Sequence, residues 1–274
     1  MDLSSKVKLN NGVEMPYLGL GVFLAKEGEE TYNAVKWAIE AGYRHIDTAM
    51  IYGNEESVGR AIKDSKIARS DIFVTTKIWN EDMRQNNQEK AIDTSLKLLG
   101  LDYVDLYLIH WPVKEKYVET WKKMEVIYET GKARAVGVSN FNIHHIEEIL
   151  SVSKLVPAVN QCECSPELTQ EDLADYCKQK GIQFEPWGPL GQGNSVNNPE
   201  IAAIAKKYQK TPAQIILRWG FQRGFVNIPK SSNKTRIVEN SKIFDFELDD
   251  ADFNKIFTLN KNKRNGPDPE TFDF

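Results

Sequence analysis

Four ionisable side chains stand at, or just past, the ends of short apolar runs. Asp47 closes RHID (44–47), Tyr52 follows five residues later, Lys77 closes FVTTK (73–77) and His110 closes DLYLIH (105–110). An aspartate can hold a lysine charged in an apolar setting. A charged ammonium beside a phenol favours the phenolate, and so lowers a pKa of about 10 in water by about 1–3 units. A tyrosine placed there is matched to giving up a proton near neutral pH. A histidine next to it can donate a hydrogen bond to an oxygen on which charge develops. Together the four suit protonation of a carbonyl oxygen, provided that something else attacks the carbon. No serine, cysteine or metal cluster in the sequence fills that role, so a hydride from a nicotinamide is the natural partner.

Taken singly, each residue has an ordinary explanation. An aspartate after a strand usually caps a helix, a lysine there usually snorkels, and a tyrosine is usually a wall. The case depends on elements that bring the four together. Eight apolar runs occur, at 18–21, 44–47, 73–77, 105–110, 133–138, 157–161, 183–187 and 225–229. Most are nearly continuous in hydrophobicity, as expected of strands buried on both faces of a parallel sheet. Amphipathic stretches accompany them at 31–41, 54–66, 88–99, 117–130, 143–151, 169–180, 212–221 and 249–259. Asn54 is a candidate cap, and Pro212 follows Thr211 at a first helical position. Strand starts recur about 24–32 residues apart, the size of one βα unit, until a final interval of about 42 that contains GPLGQGNSVNNPE.

This alternation predicts an α/β chain folded as a (β/α)8 TIM barrel, one domain over residues 1–274. In that fold the ends of strands and the loops after them form the active face, which gathers Asp47, Tyr52, Lys77 and His110 at one mouth. Asn-Asn-Gly within VKLNNGVEMPYLG predicts an N-terminal hairpin that caps the barrel bottom. GLGVF (19–23) has neither the spacing nor the following helix of a dinucleotide-binding glycine fingerprint, which disfavours an open doubly wound sheet.

Composition is consistent with this. The 274 residues carry a net charge of −4, so no general attraction to nucleic acid or anionic membrane is expected. The three cysteines, Cys162, Cys164 and Cys177, suit a reducing compartment better than a disulfide framework. Cys162 and Cys164 lack a matching ligand pair, and no metal site is expected. The start of the chain has no signal-type apolar core, and no run approaches the roughly 18 apolar residues of a span. The expectation is a soluble cytoplasmic chain acting on a small molecule.

GYRHIDTAMIYGNEESVG (42–59) resembles the first signature of the aldo-keto reductase family, and the resemblance runs from KLNNGVEMPYLGLGVF through GVSNF (137–141) to IPKSSNKTRIVEN (228–240). It implies a reductase of aldehydes and ketones in which Asp47, Tyr52, Lys77 and His110 are the catalytic tetrad. Lys230, Ser231 and Arg236 are polar or cationic groups at a strand end and helix start, where an anion is favoured. The resemblance assigns them to the 2′-phosphate of NADPH (or NADP), with Glu239 and Asn240 near the adenine. A cationic clamp of this kind favours NADPH over NADH. The resemblance further implies that Ser139, Asn140 and Gln161 hold the nicotinamide carboxamide and that Trp187 stacks on its ring. Gly188, Leu190 and Gln192 would lie over the pyrophosphate. Trp187-Gly188-Pro189-Leu190, where many members have Tyr-Ser-Pro-Leu, is similar to the bacterial 2,5-diketo-gluconate reductase-like and prostaglandin F synthase-like branch. Within NQCECSP, Ser165 stands where many members have histidine.

Phe23, Trp79 and Trp111 follow strand ends and are expected to wall the substrate pocket. The tail 262–274 is expected to fold over the mouth, with Phe272 and Phe274 near substrate. The resemblance implies that a tail this short goes with small aldehydes, dicarbonyls or sugar ketones as substrates, and with a monomer. His45 reads as a packing residue. His144 and His145 are neighbours on a helix, about 100° apart, and read as surface or cap residues. Two rival readings remain at this level. One is an NADPH-binding sensor or regulatory barrel with little turnover. The other is a cofactor-free hydrolase or isomerase using Asp47 and His110, which the basic stretch at 230–236 disfavours.

Overall fold

The computed structural model describes residues 1–274. β1 (Lys6–Lys8) and β2 (Glu14–Pro16) pair antiparallel across the Asn-Asn-Gly turn. The side chains of Asn10 and Asn11 donate to the carbonyls of Pro157 and Arg134, at 3.0 and 2.9 Å. Leu9 and Met15 of this hairpin are buried against Phe73, Leu106, Ala135, Ala158 and Val226. The hairpin therefore plugs the barrel from the side where the strands begin.

The apolar runs form seven parallel strands paired in chain order: β3 (Leu20–Gly21), β4 (His45–Asp47), β5 (Phe73–Ile78), β6 (Val104–Ile109), β7 (Ala133–Ser139), β8 (Val159–Glu163) and β9 (Gln183–Trp187). The run expected at 225–229 is the eighth stave, but it forms no regular ladder. Single bridges join Leu18 to Asn227 and Gly21 to Lys230. The Asn227 carbonyl accepts from Gly19 N at 2.8 Å, the Pro229 carbonyl accepts from Gly21 N at 3.2 Å, and Val226 N donates to the Phe184 carbonyl at 3.3 Å. Pro229 has no N–H to donate, which interrupts the ladder. The stave nonetheless closes β3 onto β9, and the result is a (β/α)8 barrel.

Helices α1 (Glu29–Glu40), α2 (Glu55–Ser65), α4 (Gln88–Leu99), α5 (Tyr117–Glu129), α6 (Ile143–Val152), α7 (Glu171–Gln179), α9 (Pro212–Gln222) and α11 (Asp250–Phe257) match the amphipathic stretches. Three more appear: α3 (Asn80–Arg84), α8 (Pro199–Tyr208) and α10 (Lys234–Asn240). Thr211 caps α9 as its sequence implies, in a reciprocal box with Gln214. Asn198 and Pro199 do the same work for α8, inside the long interval before the eighth stave. Asn54 does not cap α2. Its amide donates to the carbonyls of Val22 and Ala25, both at 3.0 Å, and its oxygen accepts from Thr48 Oγ1 at 2.7 Å. It is buried and ties the loop after β4 to the loop after β3.

The core lies between strands and helices. Val35, Ala38, Val58, Ile62, Ile92, Trp121, Ile146 and Ile149 pack on the outward side chains of the staves, among them Ile46, Val74, Ile109 and Val138. α2 and α4 approach so closely that a Cβ on Gly59 would collide with the Leu99 carbonyl. Gly59→Ala therefore overpacks a backbone-on-backbone contact, and is expected to destabilise by about 1–3 kcal/mol. Thermal melting checks this, at about 2–4 °C per kcal/mol. An unchanged Tm would mean that the two helices do not touch there.

Candidate active site

Where β4 ends, Asp47 is buried and its carboxylate faces the end of β5. Lys77, one residue before the end of β5, has no solvent exposure. Its ammonium donates to Asp47 Oδ1 at 2.7 Å, to Asp47 Oδ2 at 2.9 Å and to the Thr48 carbonyl at 2.8 Å. After Asp47 the chain turns through a short 3-10 segment, Met50–Tyr52, held by Thr48 and Asn54. This sets the Tyr52 ring with Lys77 Nζ 5.2 Å from its centroid. His110 follows β6 directly, and its ring meets Tyr52 edge-on at 5.7 Å. The structure brings all four expected residues together.

Their electrostatics differ from the sequence expectation in one respect. Burial raises the Tyr52 pKa and the Asp47 charge adds to that, while Lys77 opposes both; the phenol ends above its ordinary value. Sequence alone predicted a lowered phenol. Desolvation of the phenolate outweighs an ammonium whose charge Asp47 already balances. Burial disfavours charge on Lys77 too, but Asp47 and Tyr52 more than restore it, so the ammonium persists. Burial and the Lys77 charge hold His110 well below its ordinary value. His110 is thus a neutral imidazole with one N–H to donate.

Below the tetrad lies a second polar layer. Gln161 Nε2 donates to Asp47 Oδ2 and to Glu185 Oε2, both at 2.8 Å. Glu185 is fully buried and its Oε1 has no hydrogen-bond partner. His45 is buried as expected, its Nε2 3.1 Å from Thr75 Oγ1. Burial, then the Lys77 charge, pushes the His45 pKa down to about 3.

The residues expected around a nicotinamide form one bonded patch. Trp187 Nε1 donates to Asn140 Oδ1 at 2.8 Å. The Asn140 amide donates to the His110 carbonyl at 3.0 Å and to Ser139 Oγ at 3.2 Å, and the Ser139 hydroxyl donates to the Gln161 carbonyl at 2.8 Å. The amide hydrogens of Asn140 and Gln161 and the Ser139 proton are all engaged. Acceptor capacity remains on the Gln161 and Asn140 side-chain oxygens, which suits the NH2 of a carboxamide. Gly188 (φ 60), Leu190 and Gln192 (φ 54) lie in the segment after β9, with Gln192 exposed.

Lys230 and Arg236 are exposed, and neither has a carboxylate within ion-pair distance. Ser231 is buried beside them, and Asn233 caps α10 by accepting from Arg236 N at 3.1 Å. Arg236, Glu239 and Asn240 are three and four residues apart in α10 and share a face. Lys230 bridges Gly21, whose register partner on the other side is Asp47. Two adjacent rungs therefore connect this cationic group to the tetrad.

The aromatic residues expected to wall a pocket lie near Tyr52, His110 and the tail. Phe23, 51% exposed, lies 5.0 Å from the Tyr52 ring, and Trp79 lies 5.3 Å from His110. Trp111 packs on Phe272 at 5.1 Å and on Phe274 at 5.3 Å, while Phe274 stacks on Trp79. The Phe274 carbonyl accepts from Asn80 Nδ2 at 3.1 Å and Arg84 Nη2 at 2.8 Å, which fastens the tail to α3. Further back, Glu163 accepts from the backbone N–H groups of Asn265 and Gly266 at 2.6 and 3.1 Å. Glu163 and Glu185 are the site residues that sequence reasoning passed over. Each is a charge in a strand that otherwise reads as buried. His145 Nδ1 accepts from Asn142 N at 3.1 Å in the α6 capping box, and His144 Nε2 is 3.6 Å from Glu270. Ser165 Oγ is buried without a partner.

Known proteins resemble this chain along most of its length. The model of the aldo/keto reductase family matches residues 18–261. The glyoxal reductase of Bacillus subtilis is 53% identical over 272 residues, covering 99% of each chain. An aldo-keto reductase enzyme from a Medee basin deep-sea metagenome library has a similar crystal structure (TM-score 0.95, 49% identity, 98% of this chain and 100% of that one). So does the Bombyx mori aldo-keto reductase in complex with NADP (TM-score 0.88, 40% identity, 95% and 94%).

Removing one partner of the buried Lys77–Asp47 pair leaves the other charge uncompensated. Lys77→Met is therefore expected to destabilise by about 3–5 kcal/mol, with part of the loss recovered in the double variant with Asp47→Asn. Urea unfolding of the four chains closes the cycle, and strictly additive losses would mean that the two side chains are not coupled.

Proposed function

Given that this chain belongs to the aldo/keto reductase family and is an NADPH-dependent carbonyl reductase, we propose that Tyr52 gives the proton to the carbonyl oxygen. Asp47, Lys77 and His110 then act in its support. The observation that carries this is the ammonium of Lys77, held by three hydrogen bonds beside the Tyr52 ring.

The residues fit the cofactor. Lys230 and Arg236 are cations without carboxylate partners, as an anion site requires, and the free acceptors of Gln161 and Asn140 suit a carboxamide. In this reading Lys230, Ser231 and Arg236 hold the 2′-phosphate, Glu239 and Asn240 flank the adenine, and Gly188, Leu190 and Gln192 border the pyrophosphate. Ser139, Asn140 and Gln161 orient the carboxamide, and Trp187 packs against the ring. When bound, NADPH supplies a hydride to the carbonyl carbon.

Tyr52 does the rest of the chemistry with His110. Its raised pKa keeps the phenol protonated across the neutral range, so the proton is present when it is needed. Charge developing on the oxygen approaches that of an alkoxide, a base about as strong as hydroxide and far stronger than a phenolate. Transfer from the phenol therefore runs downhill. The Lys77 charge stabilises the phenolate left behind, and the His110 N–H orients the oxygen and shares its charge. This completeness is the reason to prefer turnover over a binding-only barrel.

In this reading Phe23, Trp79 and Trp111 wall the substrate space, with Phe272 and Phe274 packed against the two tryptophans. With the glyoxal reductase among its relatives, small aldehydes and 1,2-dicarbonyls are the proposed substrates. The same reading takes residues 1–274 as one domain, monomeric and cytoplasmic. No helix is long and apolar enough to cross a membrane.

NADPH oxidation with a panel of aldehydes and dicarbonyls tests the mechanism. Tyr52→Phe is expected to lower kcat by about 10²–10⁴-fold with NADPH affinity retained; full activity would remove Tyr52 from the reaction. Arg236→Ala is expected to weaken NADPH binding roughly 10- to 100-fold and NADH binding little, as read by quenching of tryptophan fluorescence. Equal losses for both cofactors would dissociate Arg236 from the 2′-phosphate.

A further inference from the structure

Glu185 lies at the centre of the barrel, one layer below the tetrad, and the mechanism above makes no use of it. It is the cross-strand partner of Gln161, which is itself the partner of Ser139, so one row crosses β7, β8 and β9. Gln161 links it to Asp47 through a single amide nitrogen, with both bonds at 2.8 Å. The titratable groups that face Glu185 are Asp47 and His45 on β4 and Lys77 on β5. His45 Nε2 is 3.8 Å from Glu185 Oε1, too far for a hydrogen bond, and its ring is held neutral.

The charge balance follows from these neighbours. The buried layer holds one ammonium, and Asp47 already neutralises it. A second carboxylate would stand uncompensated, with one oxygen lacking any donor. Leaving a buried charge in that condition is strongly unfavourable, whereas a proton on Oε1 removes the charge and leaves Oε2 free to accept from Gln161.

We propose that Glu185 is a positioning residue of this site, working as the neutral acid, and that its ionisation suppresses proton donation by Tyr52. This rests on Tyr52 being the proton donor. As the neutral acid, Glu185 fixes the Gln161 amide so that its oxygen points away from Asp47, and leaves the Lys77–Asp47 pair balanced. Loss of the Glu185 proton to solvent adds one negative charge beneath Lys77. The ammonium then answers to two carboxylates and stabilises the departing phenolate less. Burial foremost, and the Asp47 charge after it, push the Glu185 carboxyl up to about 8, within the range where enzymes work. Tyr52 lies above its ordinary value and His110 well below its own, so neither accounts for a transition there.

The test is the pH dependence of kcat for one small aldehyde from about pH 6 to about pH 10, in wild type and in Glu185→Gln. Wild type is expected to lose roughly tenfold in kcat as pH rises through about 8, as befits a unit charge introduced at an effective dielectric of about 20. Glu185→Gln is expected to lack that limb, read as the ratio of kcat across the range within each protein. Independently of activity, wild type labelled with [δ-13C]glutamate is expected to show one carboxyl resonance that titrates near pH 8. Three results would overturn the proposal: a wild-type profile without the limb, the same limb in Glu185→Gln, or no glutamate carboxyl titrating above about pH 6.5. Should Glu185→Gln not fold, coincidence of the resonance and the kinetic limb in wild type supports the proposal, and divergence overturns it. Failure to reduce any carbonyl at any pH would instead bring down the reading of the site as a reductase, while the resonance still reports on Glu185.

Discussion

The ion pair between Lys77 and Asp47 is the constraint around which the barrel mouth is arranged. An ammonium with no exposure to water must have its charge answered inside the protein, and it must find acceptors for three hydrogens. Asp47 offers two oxygens and the Thr48 carbonyl the third. Thr48 is held in turn by Asn54, which binds the loop after β3, so the turn that carries Tyr52 is fixed by the same set of bonds. The second Asp47 oxygen recruits Gln161, and Gln161 recruits Glu185. A satisfied charge at one stave thus spreads an ordered polar layer across three others, β4, β8 and β9. That order lets a loop tyrosine keep a defined relation to its neighbours.

The barrel was legible because its strands are buried on both faces and announce themselves as apolar runs. Asp47, Lys77 and His110 were legible because they break those runs at the end where barrel enzymes do chemistry. Glu185 also breaks a run, in the middle of QFEPW. Whether such a residue points into the barrel or out toward the helices depends on the parity of β9, and parity follows from its register with β8. No single strand carries that information. The acidity of Tyr52 was misjudged for a related reason: sequence names the charged neighbours but not the depth of burial, which here decides the sign.

Helix α8 shows a different limit. Asn198 and Pro199 carry the same start signal as Thr211 and Pro212, and Ile201, Ile204 and Ala205 bury one face. The signal was present, but glycines and asparagines before it gave the interval the look of a loop. Similarly, 225–229 reads as a strand by composition. Pro229 and the short pairing partner reduce it to isolated bridges. The tail could be placed over the mouth in general terms. Its fastenings to Glu163, Asn80 and Arg84 depend on contacts more than 100 residues apart in sequence, with separations of 102, 194 and 190 for Asn265–Glu163, Phe274–Asn80 and Phe274–Arg84.

The eighth stave has one more implication. It is the most lightly stitched seam of the barrel, and Lys230 sits on it, one rung from Gly21 and two from Asp47. Lys230 and Arg236 lie on the same side of that seam, so what crosses it there is backbone alone, the N–H groups of Gly19 and Gly21 donating to the carbonyls of Asn227 and Pro229. Parting of the seam would separate Lys230 from the stave that leads to Asp47. A displacement at the cationic end of this stave therefore has a backbone path to Asp47 only two rungs long.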